Sequence, residues 1–148
     1  MFGQSNMEII MKKFFISACV AAMLASGASA QGKFLTAAEV KPILNATKNS
    51  WIAVREYNGK DLLYFTHLLS WRCGLTAIQY GVNSDLATLA LPVEACDEEA
   101  RTPAALSDTQ PIYAEFAPKS IYFVTVKIIY DDGTTDQMTY KRKAVEIN

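Results

Sequence analysis

The residues that could perform catalysis are few. His67 is the only histidine in the chain, and an imidazole acts as a general base near neutral pH when a carboxylate orients it. Asp61 and Arg72 flank His67 in sequence. Six positions of extended chain span about 20 Å, so these side chains cannot form a compact site without help from elsewhere. His67 is therefore a candidate catalytic residue, and a histidine packed at a sheet surface is the alternative.

A tryptophan-arginine pair is the candidate binding site. Trp71 and Arg72 directly precede Cys73, and both residue types are enriched where proteins bind partners. The chain also carries more aromatic residues than a core of this size needs to bury. We expect Trp71 and Arg72 to contact another envelope or extracellular protein or a small ligand. The alternative is ordinary packing of these side chains within the core.

Two cysteines predict a covalent cross-link. Of the three cysteines, Cys19 lies in the predicted leader described below, which leaves Cys73 and Cys96. An even number of cysteines in an exported chain is typical of a disulfide, and closing this loop stabilises the fold by about 3 kcal/mol. Two buried free thiols are the alternative. One histidine and two cysteines exclude the usual four-ligand zinc sites, and we predict no metal and no cofactor.

The N-terminal region has the pattern of a secretory leader. Met11-Lys12-Lys13 is cationic, residues 14–24 are mostly apolar, and Ala28-Ser29-Ala30 fits the small-residue rule for signal cleavage. The apolar stretch is too short to cross a bilayer with margin. We expect residues 1–30 to be an N-terminal extension and a cleavable signal peptide. Residues 31–148 are then a single exported domain, in the periplasm of a bacterium or secreted from it.

A second interpretation of the leader places a lipid anchor at Cys19. Ile16-Ser17-Ala18-Cys19 resembles a bacterial lipobox, in which the cysteine is acylated and becomes the first residue. The apolar segment before Cys19 is short for a signal core, and the chain stays apolar after it, where lipoproteins become polar. We therefore favour cleavage after Ala30, and we expect no membrane span in the mature protein.

Composition excludes two classes of protein. The net charge is −1, whereas a nucleic-acid-binding surface needs an excess of basic residues, so we expect no nucleic-acid partner. Apolar residues make up 51 % of the chain and aromatic residues 11 %. Such a composition is typical of a folded domain and not of a disordered segment.

The elements that must position these residues begin with a helix. Thr36-Ala37-Ala38-Glu39 has the pattern of a capping box, and apolar residues follow at helical spacing up to Thr47. Pro42 removes an amide hydrogen bond. The helix is therefore either kinked at Pro42 or starts near Lys41 after a short first turn. We expect it to end at Asn49-Ser50.

Three strands are expected in the first half of the chain. Asn58-Gly59 is a strong hairpin signal because both residues tolerate positive φ. It joins apolar runs at 51–57 and 61–68, and His67 lies in the second run. Residues 76–82 form a third strand.

The clearest hairpin is close to the C-terminus. Residues 121–130 are mostly β-branched or aromatic, the turn is Asp131-Asp132-Gly133, and residues 135–142 return. Lys141-Arg142-Lys143 falls on the end of the returning strand, where alternation divides its charges between two faces. Alternation also places five residues of the outgoing strand on one buried face: Tyr122, Val124, Val126, Ile128 and Tyr130.

The fold class follows from this order of elements. Residues 83–120 contain four prolines, so they hold either a short strand at 112–116 or an irregular excursion fixed by Cys96. We predict an α+β domain in which an N-terminal helix packs on an antiparallel sheet of five or six strands, with one disulfide. The expected function is a small non-catalytic binding or accessory protein. The alternatives are a small exported enzyme that uses His67 with a carboxylate, and a lipid-anchored envelope protein.

Overall fold

Seven strands organise residues 32–148, the part of the chain that the computed structural model describes. They are β1 (Ala53–Tyr57), β2 (Lys60–Tyr64), β3 (Leu75–Val82), β4 (Leu89–Ala90), β5 (Tyr113–Phe116), β6 (Phe123–Tyr130) and β7 (Thr135–Lys141). They form two antiparallel sheets, one of three strands in the order β1-β2-β5 and one of four in the order β4-β3-β6-β7. The predicted leader, with Cys19, lies outside the described residues.

The prediction of one sheet of five or six strands is wrong. After β2 the chain enters a short helix, α2 (Thr66–Ser70), and a 3₁₀ turn (Arg72–Gly74) before β3 begins. Because of this connection β3 does not pair with β2. Instead β2 pairs with β5 and β3 pairs with β6, strands that lie much further along the chain. The fold is still a mixture of helix and antiparallel sheet with one disulfide.

The first helix, α1 (Ala37–Ala46), begins at the predicted capping box. The carboxylate of Glu39 accepts a hydrogen bond from the Thr36 amide at 3.1 Å, and the Thr36 hydroxyl donates to the same oxygen at 3.0 Å. Pro42 lies inside the helix, which is therefore one element and does not start near Lys41. The helix ends at Ala46, with Thr47 as its C-cap, earlier than expected, and a 3₁₀ turn over 48–50 follows.

Both predicted hairpins are confirmed. Asn58 and Gly59 adopt φ values of 51° and 73° between β1 and β2, so the turn uses the left-handed conformations that this dipeptide tolerates. The turn between β6 and β7 ends on Gly133, at φ 81°. The strand predicted at 61–68 is shorter than expected, because β2 ends at Tyr64.

The core is built around β6, which has strand partners on both sides. Four residues of the predicted face are buried: Val124, Val126, Ile128 and Tyr130. Tyr122 does not follow them. It precedes the first residue of β6, and its side chain is 70 % exposed. The buried residues of β6 belong to one hydrophobic cluster with Trp51 and Phe65.

A buried ion pair joins the two sheets. Asp61 of β2 is 0 % exposed, and both of its carboxylate oxygens accept hydrogen bonds from the Arg142 guanidinium, at 2.5 and 3.0 Å. The Ile121 amide, just before β6, donates to Asp61 at 3.1 Å. Hydrogen bonding to Arg142 lowers the pKa of Asp61 from 3.8 to about 2. The pair therefore connects the three-stranded sheet to the chain on both sides of the C-terminal hairpin.

Replacing Asp61 by asparagine should remove much of the acid sensitivity of the fold. A carboxyl whose folded-state pKa is depressed stabilises the fold above its unfolded pKa, and this contribution is lost as the pH falls towards 2. It amounts to about 2 kcal/mol. We expect urea unfolding of D61N to vary less between about pH 5 and 2 than that of the wild type. D61N should also be less stable at neutral pH, since Arg142 keeps its charge without its partner.

The matched control for this experiment is Glu115→Gln. Glu115 pairs with Lys60 on the surface, where both side chains are about half exposed, and such pairs contribute about 0.5 kcal/mol. E115Q should therefore keep the wild-type pH dependence. Equal pH dependence in D61N and the wild type would contradict the role assigned to Asp61.

Candidate functional site

The disulfide fixes a long irregular segment, residues 91–112, which we name the excursion. Cys73 lies in the 3₁₀ turn before β3, and its sulfur is bonded to that of Cys96. The disulfide predicted from the cysteine count is thus confirmed. The excursion leads into β5, so this proline-rich region contains both a short strand and an irregular segment held by Cys96.

Arg72 holds the same segment from the inside of the molecule. Its side chain is 2 % exposed, and its guanidinium donates to main-chain carbonyls that lie before, within and after the disulfide loop. The acceptors are the carbonyl oxygens of Glu94 (3.1 Å), Leu69 (3.2 Å), Ala104 (2.7 Å) and Ala105 (3.0 Å). The Glu94 carboxylate completes the set at 3.4 Å.

Glu94 connects this cluster to the rest of the excursion. Its carboxylate accepts hydrogen bonds from the Ser107 amide at 2.8 Å and hydroxyl at 2.6 Å, and these bonds lower the pKa of Glu94. Its amide donates to the side-chain oxygen of Gln110 at 2.7 Å. The excursion is therefore ordered by a polar network as well as by the disulfide.

The two residues predicted to bind a partner do not form one surface. The Arg72 guanidinium is buried, and its N–H groups donate to acceptors within the protein. It therefore holds the excursion and has no N–H group left to donate to a partner. Trp71 is half-buried, and its ring meets that of Phe34 edge to face at 5.1 Å between centroids. A binding role for Trp71 stays a prediction.

His67 lies in α2 and not on the predicted strand. Its Nε2 is 2.8 Å from the Thr47 hydroxyl, which also lies 2.7 Å from the Ile43 carbonyl. A hydroxyl has one proton, and the carbonyl can only accept, so Thr47 donates to Ile43 and accepts from the imidazole. Burial lowers the pKa of His67. Within residues 32–148, no carboxylate oxygen lies within 4.0 Å of an imidazole nitrogen.

Neither a metal site nor a membrane-spanning helix is found in the described part of the chain. Between Gly32 and Asn148, no three side chains of histidine, cysteine, aspartate or glutamate are arranged to hold a metal ion. None of the helices in the same range combines the length and the apolar character that crossing a bilayer requires.

An open cleft of about 830 Å³ lies where β6 begins and β7 ends. We name it the Tyr122 cleft. The lining residues are Asp85, Tyr122, Phe123, Thr139, Lys141, Arg142, Lys143 and Glu146.

The charges in the Tyr122 cleft are unevenly paired. Arg142 is neutralised by Asp61 and by Glu146, whose carboxylate accepts from its Nε at 2.9 Å. Lys141 and Lys143 form no ion pair within residues 32–148. The cleft therefore combines two lysines and one aspartate, Asp85, that form no ion pair within the described residues, beside the exposed ring of Tyr122.

Two residues outside the cleft shape it. Asn83 adopts a φ of 53°, and its side chain accepts a hydrogen bond from the Tyr122 amide at 2.8 Å and donates to the Ser120 carbonyl at 2.7 Å. At Gly81, an added Cβ would lie 2.0 Å from the Leu86 carbonyl oxygen. The loop that carries Asp85 can lie against β3 only because residue 81 has no side chain. The hydrogen bond to Asn83 fixes the backbone of Tyr122, although the ring of Tyr122 is exposed.

Sequence patterns did not reveal the Tyr122 cleft. Alternation assigned Tyr122 to the core and divided the Lys-Arg-Lys run between two strand faces. In the structure β7 ends at Lys141, and a short helix, α3 (Arg142–Val145), brings the three basic residues around one cleft. One feature of the sequence does indicate the end of β7: the alternation of apolar and polar residues stops at this basic run.

Comparison with known proteins gives no relative. No protein-family model matches the sequence, no curated protein is similar to it, and no solved structure matches the fold. The assignment of function therefore depends on the geometry described above.

Replacing Arg72 by methionine should loosen the excursion while the disulfide stays intact. The substitution keeps an apolar stem and removes the donors of several partly buried carbonyls, each costing about 1–3 kcal/mol when left unsatisfied. We expect trypsin to cleave faster after Arg101, an exposed residue within the excursion. Arg55→Met on β1 is the control and should not change this cleavage. Unchanged cleavage at Arg101 in R72M would show that Arg72 does not hold the segment.

Proposed function

We propose that the protein is an exported, non-catalytic binding module and that the Tyr122 cleft is its binding surface. One observation carries the proposal: an exposed tyrosine ring lies in the same open cleft as two lysines that form no ion pair within residues 32–148. Aromatic and cationic side chains in a concave site are the groups that bind ligands. Among the exposed large hydrophobic residues of the described chain, Tyr122 is the most exposed, at 70 %, whereas Tyr130 and Tyr140 are buried.

Export is part of this proposal. It is supported by the leader pattern in residues 1–30 and by the disulfide between Cys73 and Cys96, a bond typical of oxidising compartments such as the periplasm. A lipid-anchored envelope protein, acylated at Cys19, is the alternative location for the same binding module.

A small enzyme that uses His67 is the second candidate function. The 2.8 Å contact between the Thr47 hydroxyl and the imidazole favours it, because a hydroxyl next to a histidine is the arrangement of an activated nucleophile. The hydroxyl proton, however, is directed at the Ile43 carbonyl, and no carboxylate orients the ring within the described residues. We therefore assign His67 to the contact between α2 and the C-terminal end of α1.

We further propose that α1 covers one face of the four-stranded sheet. Three of its residues are buried: Ala37, Val40 and Leu44. The Ala37 amide donates to the side chain of Asp131, in the turn between β6 and β7, at 2.9 Å. A Cβ at Gly74, just before β3, would lie 2.7 Å from the Thr36 carbonyl oxygen, so the first turn of α1 passes close to this sheet.

Photo-cross-linking in a bacterium that exports the full chain tests the binding proposal. A photoreactive phenylalanine at position 122 should give a specific adduct, and Lys141→Gln with Lys143→Gln should reduce it. The matched control places the same residue at Tyr57, which is 58 % exposed on the other sheet and should give no specific adduct. Equal adducts at both positions would contradict the proposal. The exported protein should begin at Gln31, whereas a diacylated Cys19 would support the anchored alternative.

A further inference from the structure

The outer edge of β7 lacks a strand partner. In the four-stranded sheet β7 occupies one end, and among residues 32–148 it pairs only with β6. An edge strand directs every second pair of backbone N–H and C=O groups away from its sheet. The C-terminal end of β7 contributes Thr139 and Lys141 to the Tyr122 cleft.

Hydrogen bonds at the two ends of the hairpin determine which backbone groups face outward. At one end the Arg142 amide donates to the Tyr122 carbonyl, and at the other the Tyr130 amide donates to the Thr134 carbonyl, both at 2.9 Å. Bonded pairs alternate along an antiparallel ladder, so the even-numbered residues of β7 bond to β6. The outward-facing groups belong to Thr135, Gln137, Thr139 and Lys141.

These four residues are available for binding. All of them are exposed, and within the described residues their backbone groups form no hydrogen bond outside the ladder. The even-numbered residues of β7 are half-buried or buried. The open edge and the exposed face of β7 thus involve the same residues.

The charge on this edge selects the occupant. The exposed face of β7 has Lys141 and no acidic residue, and Lys143 follows in α3. The acidic residues that line the Tyr122 cleft, Asp85 and Glu146, lie outside β7, and Glu146 is paired with Arg142. A second copy of the chain would bring another lysine and no carboxylate from this face, so self-pairing leaves Lys141 without a counterion. Lysine on an edge strand disfavours such self-association. An acidic strand would instead neutralise both ammonium groups.

We propose that β7 accepts an extended acidic peptide segment of an exported partner protein as an added strand. The inference rests on the proposed function, since it specifies the partner of the Tyr122 cleft. Backbone hydrogen bonds to Gln137 and Thr139 provide affinity, and alternate side chains provide specificity. Acidic side chains of the partner face Lys141 and Lys143, and an apolar side chain contacts the ring of Tyr122.

The test uses the exported protein and a capped ten-residue peptide of alternating glutamate and valine. Amide hydrogen exchange should slow at Gln137, Thr139 and Lys141 on addition of the peptide, whereas exchange at Met138, already bonded to β6, should not change. A peptide with lysine in place of glutamate should not bind. Lys141→Gln with Lys143→Gln should weaken binding about fivefold to tenfold at low salt, and Lys60→Gln, the matched control, should not.

A proline at position 137 tests the backbone contribution directly. Gln137→Pro removes an outward N–H and should abolish peptide binding while the protein stays folded, since edge strands tolerate proline where the N–H faces solvent. Met138→Pro removes a bond to β6 and should destabilise the hairpin, which verifies the assignment of outward groups independently of any ligand.

The outcomes separate this inference from the proposed function. Peptide binding without slower exchange at the odd-numbered amides overturns strand addition and leaves the Tyr122 cleft as the binding surface. Equal binding of the lysine peptide, or no binding of the glutamate peptide, overturns the inference. The cross-linking result at position 122 then decides the proposed function on its own.

Discussion

A buried ion pair between Asp61 and Arg142 connects the two sheets of this protein. Removing two charges from water costs several kcal/mol per ion, and the mutual attraction offsets this cost only when the geometry is bidentate and other hydrogen bonds complete the shell. Both conditions are met here: two nitrogens of Arg142 meet two oxygens of Asp61, and the Ile121 amide fills a further acceptor position. The end of β7 and the start of β6 are therefore held beside β2.

The arginines and the lysines of this region have different roles, and the cost of removing charge from water explains the difference. Arg72 and Arg142 each direct a planar set of donors at internal acceptors, one in the excursion and one between the sheets. A guanidinium suits this task because its donors are pre-organised and weakly hydrated. Lys141 and Lys143 remain in water, without ion pairs in the described residues, and their charge is available to a partner. Because Arg142 also lines the Tyr122 cleft, the ion pair fixes the helix turn that carries Lys143.

Local signals predicted local structure well. The Asn58-Gly59 turn, the Asp131-Asp132-Gly133 turn and the capping box at Thr36 each satisfy their hydrogen bonds within a few residues, so a short window of sequence contains the whole interaction. The cysteine count was sufficient for the disulfide, because only two cysteines follow the predicted leader. These features, with the strands at 76–82 and 121–130, were accessible without a structure.

Long-range pairings were not accessible from the sequence. Asp61 and Arg142 lie 81 positions apart, and no pattern in either neighbourhood indicates the other. The same is true of Arg72 and the carbonyls of the excursion, since an arginine beside a tryptophan gives no sign in the sequence that its acceptors there lie 22 to 33 positions away. The exposure of Tyr122 depends on where β6 begins, a boundary set by Asn83 from another part of the chain. The candidate site consists mainly of such residues, which explains why the fold class was easier to predict than the site.

The most direct measurement of the central claim is a ¹³C NMR titration of the Asp61 side-chain carboxyl. The ion pair as described requires a midpoint near pH 2, and the resonances of Tyr122 and Lys143 should shift with the same midpoint, because protonation of Asp61 releases Arg142 from its position beside the cleft. A midpoint near the ordinary value of 3.8, or cleft resonances that do not respond when Asp61 titrates, would contradict the account.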